Sequence, residues 1–413
     1  MLANLLRSGR DRTTLFLREY HPIVHVLLLG TIMARVASSM SMPFLAIYLA
    51  KQSGLSPLLI GAIIGLGSLA GTIGGFVGGA LSDRFGRKSI LMAALLAWAA
   101  VFTGFAMAKA PLAFMLLNIL NGLARSLYEP VSQALMADIT PPEKRLNMFS
   151  LRYLAINIGV AIGPLLGAYA GAAQAWLPFL LTGLIYLLYA AALYVLLQTF
   201  GIRRIEGERR SPVTVRSAWR VITRDTVFRY YIAASVIGAL SYSQMMVTLS
   251  QYVEGKVAEG AALFALLMTL NAVTVVALQV PLTRLFQPRG PLLTITAGTL
   301  LFALGDVGYA LAGSWWAFMF SMFLFTLGEI LTYPAGNVLI DKLAPEEMRG
   351  TYYGAQSFSG FGHFIGPVLG GFLLTAYGGE TLFALMAAVT LGGLVFYWRG
   401  YRLFEAARRE QAD

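Results

Sequence analysis

The sequence predicts an all-α, polytopic membrane protein built as two six-helix halves, and three observations lead there. The 413 residues are 57% hydrophobic and 12% charged, with mean hydropathy +0.69, whereas a soluble domain carries about 25% charged residues. The apolar residues gather into twelve runs, each long enough to supply the roughly 20 residues that cross ~30 Å of hydrocarbon as a helix. The second half of the chain repeats the glycine–proline spacing of the first.

In order, spans 1 to 6 are predicted at 21–50, 56–82, 88–109, 111–139, 146–172 and 174–199. Spans 7 to 12 follow at 226–252, 258–286, 290–312, 315–341, 350–376 and 379–399. Residues 1–20 carry Arg7, Arg10, Arg12 and Arg18 but no continuous apolar core, so they read as a cytoplasmic segment rather than a cleaved signal. Residues 200–225 form a basic cytoplasmic linker between an N-terminal bundle (21–199) and a C-terminal bundle (226–400), and 401–413 form a cytoplasmic tail. Of the 31 basic residues, only Lys51, Lys109 and Lys256 fall at helix ends on the opposite side, and only Arg35, Arg125 and Arg152 lie more than a turn inside spans. The rest crowd one set of helix ends, which places both termini in the cytoplasm. This placement explains the net charge of +11 without invoking nucleic acid. Cysteine is absent, which excludes disulfide and thiol chemistry.

The repeat is specific. Gly159, Gly163, Pro164 and Gly167 in span 5 recur as Gly362, Gly366, Pro367 and Gly370 in span 11, 203 residues later. Tyr128-x-Pro130 precedes the first copy and Tyr333-Pro334 the second; Asp138 with Pro142 and Glu143 matches Asp341 with Pro345 and Glu346. Two repeated halves imply a pseudo-two-fold axis normal to the membrane and a site at the midplane between them. Glycines at i+4 steps give a flat helix face for close helix approach; Gly67, Gly71, Gly75 and Gly79 form the same pattern in span 2. Pro164 removes one backbone hydrogen bond from span 5.

Spans 2 and 3 are joined by Gly79-Ala-Leu-Ser-Asp83-Arg84-Phe-Gly86-Arg87-Lys88. Gly86 permits the tight reversal, and the charges sit where water or headgroups solvate them. At every signature position this stretch resembles the loop between helices 2 and 3 of the major facilitator superfamily, and the resemblance covers residues 20–400. The glycine–proline run of span 5 resembles the antiporter motif of drug/proton exchangers, with Ala168 where that family commonly ends on glycine. The resemblance implies the twelve-helix major facilitator fold and alternating access, with spans 1, 4, 7 and 10 lining the cavity. It also implies a cytoplasmic gate in which Asp83 cooperates with Arg87, Asp138 and the start of span 11. The second copy of the loop motif has decayed to Leu282-Thr-Arg-Leu-Phe286.

Charges at mid-membrane cost about 2.5–3.5 kcal/mol on insertion scales and mark pathways or sites. Arg35, Arg125 and Glu329 lie near the centres of spans 1, 4 and 10, and Arg125 and Glu329 are equivalent under an offset of 204 residues. Span 4 carries Asn121, Arg125, Glu129 and Gln133 at i+4 steps, and span 10 carries Glu329, Tyr333 and Asn337 at the same spacing. Arg125 can pair with Glu129 along the helix, and Arg152 in span 5 is a competing partner. Glu329 has no cation near it in its own helix, and Thr326-Leu-Gly-Glu329-Ile with Pro334 resembles helix 10 of some multidrug exporters. Asn118 stands where the superfamily usually has a basic residue in span 4. Asp306 is expected to reach the outer interface from span 9, and His363 to pack beside the span 11 glycines.

No Walker loop, nucleophile elbow or metal-ligand spacing is present, so neither ATP-driven transport nor an enzyme is supported. The expected function is proton-coupled export of amphipathic small molecules of multidrug-efflux type across a prokaryotic-type inner membrane. The expected protein is a monomer in the lipid bilayer, with protons and a small-molecule substrate as partners and the proton gradient as energy source. No metal and no cofactor are implied. The alternative is transport of an anionic metabolite or lipid headgroup clamped by Arg35 and Arg125. A membrane receptor or scaffold that transports nothing is a further reading.

Overall fold

The computed structural model describes residues 20–141, 144–200, 215–344, 352 and 355–410, and these are helical almost throughout. Span 1 opens at Pro22, whose missing N–H costs nothing at a first helical position, with His21 Nδ1 accepting from the Ile23 amide at 3.2 Å. It runs as Pro22–Ser41, breaks into a 3-10 turn at Met42–Phe44 and resumes as Leu45–Ser53. Pro43 causes the break, since it cannot donate to the helix ladder. Spans 2 to 6 are Pro57–Phe85, Arg87–Met107, Pro111–Asp138, Arg145–Ala173 and Leu177–Thr199. Span 7 is Thr226–Met246 continued as Thr248–Lys256. Spans 8, 9 and 10 are Gly260–Phe286, Pro291–Leu311 and Trp315–Leu343. Spans 11 and 12 lie within Gly360–Glu410, divided at Gly378, whose φ of 79° is non-helical.

The repeat extends to backbone geometry. Gly86 before span 3 and Gly290 before span 9 both have φ of 81°, and they stand 204 residues apart. The breaks in spans 1 and 7, at Pro43 and Val247, share that offset. The turn glycine therefore survives where the charged motif around it has decayed.

Two stretches outside the predicted spans are helical. Val215–Arg224 forms a helix within the linker, where Val221 and Ile222 are buried and join an apolar cluster with Phe228, Leu339 and Tyr352. Span 12 continues past residue 399 to Glu410, so the tail begins as helix. Residues 1–19, 201–214 and 411–413, together with Pro142, Glu143, Pro345 and Glu346, lie outside the described residues. Of the loop motif, Gly79, Asp83, Arg84 and Arg87, like Asp138, sit on helices whose side chains there lie outside the described residues.

The face on which span 1 begins also holds the end of span 6, with the His21 and Phe200 rings 5.2 Å apart. We refer to it as the terminal face and to the other as the far face. At the far face the two halves interlock. Phe44 and Ile47 of span 1 pack into the cluster built from spans 7 to 12, and Val247 of span 7 packs with spans 1 to 6.

Lipid tails offer helices no hydrophobic incentive to associate, so close van der Waals approach takes over. A Cβ on Gly163 would stand 2.7 Å from Ser39 Cβ and 2.7 Å from the Val36 carbonyl oxygen, and Gly159 and Gly167 meet span 1 as tightly. Gly362, Gly366 and Gly370 press on span 7 in the same way. In span 2, Gly67, Gly71 and Gly74 face span 4, while Gly61 and Gly65 face the span 11 backbone at Pro367 and Phe364. Gly75, expected in that seam, has nothing within 4 Å; 100° per residue turns it off the contact face and brings Gly74 onto it.

Gly163→Leu is therefore expected to lower the unfolding temperature in detergent by several degrees, in keeping with an overpacking cost of at least about 1–3 kcal/mol. Gly75→Leu is expected to leave it within error. Equal melting of the two variants contradicts the seam.

Candidate functional site

The site is built from charged side chains that the bilayer confines to the bundle interior. In the N-terminal half, span 1 contributes Arg35, span 4 Glu129 and span 5 Arg152. Glu129 Oε1 accepts from Arg35 Nη2, and Glu129 Oε2 accepts from Arg152 Nη2 at 2.5 Å. Both carboxylate oxygens are thus taken by guanidiniums from other helices. The pair within span 4, Arg125 with Glu129, is not formed: tertiary partners approaching from two sides outcompete a local contact worth only ~0.2–0.5 kcal/mol. Arg125 makes no ion pair or hydrogen bond with the described residues and is exposed. It lies within electrostatic range of Arg35, Glu129, Tyr186 and Tyr242 and of His363. Arg125 thus faces the C-terminal half across the midline.

The rest of the span 4 stripe divides by depth. Asn121 turns toward span 3, its Oδ1 accepting from Trp98 Nε1 at 2.9 Å. Asn118 is buried and donates to the carbonyls of Ile63 and Ile64 at 2.8 and 3.1 Å, pinning span 4 to span 2. An amide suits that structural task.

The C-terminal half holds its carboxylate differently. Glu329 Oε2 accepts from Asn271 Nδ2 of span 8 at 2.7 Å, and Oε1 accepts from the Tyr242 hydroxyl of span 7 at 3.3 Å. Asn271 also donates to Thr326 Oγ1 at 3.0 Å. No ion pair to Glu329 is present among the described residues. Tyr242 sits in an aromatic nest, its ring centroid 5.3 Å from Tyr333, 6.1 Å from Phe325 and 6.2 Å from His363. Tyr333 and Asn337 are exposed, Tyr333 by 44%, and Asn337 Oδ1 accepts from Gln356 Nε2 at 3.4 Å.

Spans 5 and 8 join the halves beside this cluster. The Tyr153 hydroxyl donates to Gln279 Oε1 at 3.3 Å, the Thr269 hydroxyl donates to the Ala161 carbonyl at 2.9 Å, and Tyr153 lies within electrostatic range of Glu329. Tyr242, Asn271 and Tyr153 were not singled out by the sequence. Lone polar residues within apolar runs are a weak sign of them, but their convergence on Glu329 depends on which helices become neighbours.

Asp306 does not reach an interface. It is 1% exposed, on the core face of span 9 with Phe302, Ala303, Tyr309 and Ala310. Its carboxylate lies within reach of the Thr390 hydroxyl of span 12 and has no other hydrogen-bond partner among the described residues. Span 9 packs this face inward, which overrides the snorkelling that a residue one turn from the helix end otherwise adopts.

A bundle of twelve helices in two pseudo-symmetric halves, with charged groups gathered between them, is the architecture of a secondary transporter. The sequence profile of the Major Facilitator Superfamily matches residues 27–362 and 260–412, and the chain belongs to that family. It is 35% identical over 390 residues to the uncharacterized MFS-type transporter YqjV of Bacillus subtilis (strain 168), covering 93% of this chain and 95% of that one. It is 28% identical to a Na(+), Li(+), K(+)/H(+) antiporter of Planococcus maritimus, covering 92% and 96%. It is 27% identical to the multidrug resistance protein MdtH of Cronobacter sakazakii (strain ATCC BAA-894), covering 86% and 88%. Among solved structures, the nucleoside transporter NupG shares the fold, with a TM-score of 0.79 at 12% identity, covering 92% of this chain and 99% of that one.

Glu129→Gln leaves two guanidiniums facing a neutral amide. Breaking a partly buried ion cluster this way is expected to cost about 3 kcal/mol, read as a large fall in thermal stability in detergent. Glu329→Gln keeps an acceptor for its neutral donors and is expected to melt within a few degrees of wild type. Comparable destabilisation of the two contradicts the distinction.

Proposed function

We propose that this transporter exports amphipathic small molecules in exchange for protons, as a monomer in the cell membrane with both termini in the cytoplasm. The observation that carries the reading is the contrast between the two carboxylates. Guanidiniums have no acceptor atoms, so a proton on Glu129 finds no acceptor in either arginine and removes the charge that holds both. Glu329 is held by a hydroxyl and an amide, and a tyrosine hydroxyl either donates to a carboxylate or accepts from a carboxylic acid. Glu329 therefore takes up and releases a proton without dismantling its surroundings, beside an exposed Tyr333 and an aromatic nest suited to flat or cationic ligands.

Coupling follows from competition. A cationic substrate and a proton both seek Glu329, so binding one expels the other, and alternating exposure of the cavity turns that exchange into export. Residues 21–199 and 226–400 rock as two bodies about the Glu329–Arg125 midplane. The loop from Gly79 to Lys88, with Asp83, Arg87 and Asp138, closes the terminal-face gate in the opposite state. The P. maritimus antiporter and the C. sakazakii multidrug resistance protein support ion exchange and broad substrate choice within this branch.

One observation favours a second reading. Arg125 is exposed and unpaired, which suits a carboxylate or phosphate on the substrate; Arg35 is committed to Glu129 and does not serve that role.

In proteoliposomes with an imposed pH gradient, wild-type protein is expected to accumulate a lipophilic cation such as ethidium. Glu329→Gln is expected to lose at least about tenfold of that accumulation while retaining downhill exchange. Undiminished gradient-driven accumulation by Glu329→Gln removes Glu329 from coupling. Accumulation of organic anions only, abolished by Arg125→Gln, establishes the second reading instead.

A further inference from the structure

The far face holds a cavity, about 680 Å³ in volume, between the end of span 1, the end of span 7 and the turn joining spans 11 and 12. That volume is in the range of small-molecule sites. Lys51 of span 1 reaches across it to Glu254 Oε1 of span 7 and so ties the two halves at their rim. Lys51 is 62% exposed, and ion pairs in such exposed settings are weak and readily exchanged. Behind this pair the structure leaves two acceptors without donors: Glu254 Oε2 and Gln251 Oε1 are buried and have no hydrogen-bond partner among the described residues. Gln251 and Glu254 are three apart on one helix and share a face. The neighbouring cation does not serve them, because Lys256 Nζ is spent on Glu380 Oε1 at 2.6 Å and the Tyr252 hydroxyl at 2.7 Å. Apolar and aromatic side chains, Ile47, Leu55, Leu374 and Tyr377, line much of the remaining wall.

We infer that this vestibule is a binding site for an organic ammonium with an apolar body, whose N–H groups replace Lys51 on Glu254 and satisfy Gln251. The cation is matched by Glu254 Oε2 and Gln251 Oε1, which no described residue serves, and the apolar body by the wall. Since the ligand takes the carboxylate that holds Lys51, occupancy releases the tie between the halves at this face. The site lies apart from Glu329 and does not depend on proton coupling there.

The chain has no cysteine, so a single introduced thiol reports the cavity without background. In detergent-solubilised Ala50→Cys protein, 4-phenylbutylamine is expected to slow alkylation by a charged maleimide several-fold, whereas 4-phenylbutanol and 4-phenylbutyrate are not. Glu254→Gln is expected to abolish that protection, and Lys51→Ala to bring it on at several-fold lower amine concentration. Thr381→Cys, an exposed position on the opposite wall, should give the same pattern. The Glu329→Gln background should preserve it, which separates failure here from failure of the coupling reading. Equal protection by the alcohol, protection that survives Glu254→Gln, or protection lost only with Glu329→Gln overturns the proposal.

Discussion

A polar group inside this bundle has no water to fall back on, and the structure is arranged around that scarcity. Each unpaired buried charge is expensive, and, Asp306 apart, the charged side chains of the core lie where other helices bring partners or where they are exposed. The N-terminal half resolves the problem by saturation. Arg35, Glu129 and Arg152 draw spans 1, 4 and 5 together through one carboxylate. The C-terminal half resolves it with neutral donors, holding Glu329 between Tyr242 and Asn271. The same constraint therefore produces a fixed charge cluster in one half and an adjustable one in the other, which is the asymmetry the proposed exchange needs.

Close helix packing is the second consequence. Where hydrocarbon supplies no drive to associate, backbones must approach until carbonyls and Cα atoms touch. The glycine faces of spans 5 and 11 do this within each half, and Gly61, Gly65 and Gly371 do it between halves along spans 2 and 11. Tyr153 with Gln279 and Thr269 with Ala161 add hydrogen bonds to the span 5–span 8 seam.

Much of the fold was legible because it is written in local spacing. Apolar run lengths marked the helices, i+4 glycines marked the seams, and the repeat offset carried through to paired backbone features at Gly86 and Gly290. What escaped depends on tertiary choice. Nothing local distinguishes the Val247 break, which carries no proline and emerges only by symmetry with Pro43. Arg125 and Glu129 satisfy every rule for a pair within span 4, yet Glu129 is claimed by two arginines from elsewhere. Asp306 reads as an interfacial residue from its distance to the helix end, but the face it occupies is set by packing. Asn271 and Tyr242 look ordinary until spans 7, 8 and 10 converge on Glu329.

The account rests on Glu329 being the carboxylate that exchanges a proton for substrate, and the most direct test counts protons. Lightly buffered, detergent-solubilised protein near neutral pH, titrated with a cationic ligand, is expected to release protons in the wild type and none in Glu329→Gln while ligand still binds. Proton release of wild-type size from Glu329→Gln contradicts the account and moves the exchange to another carboxylate.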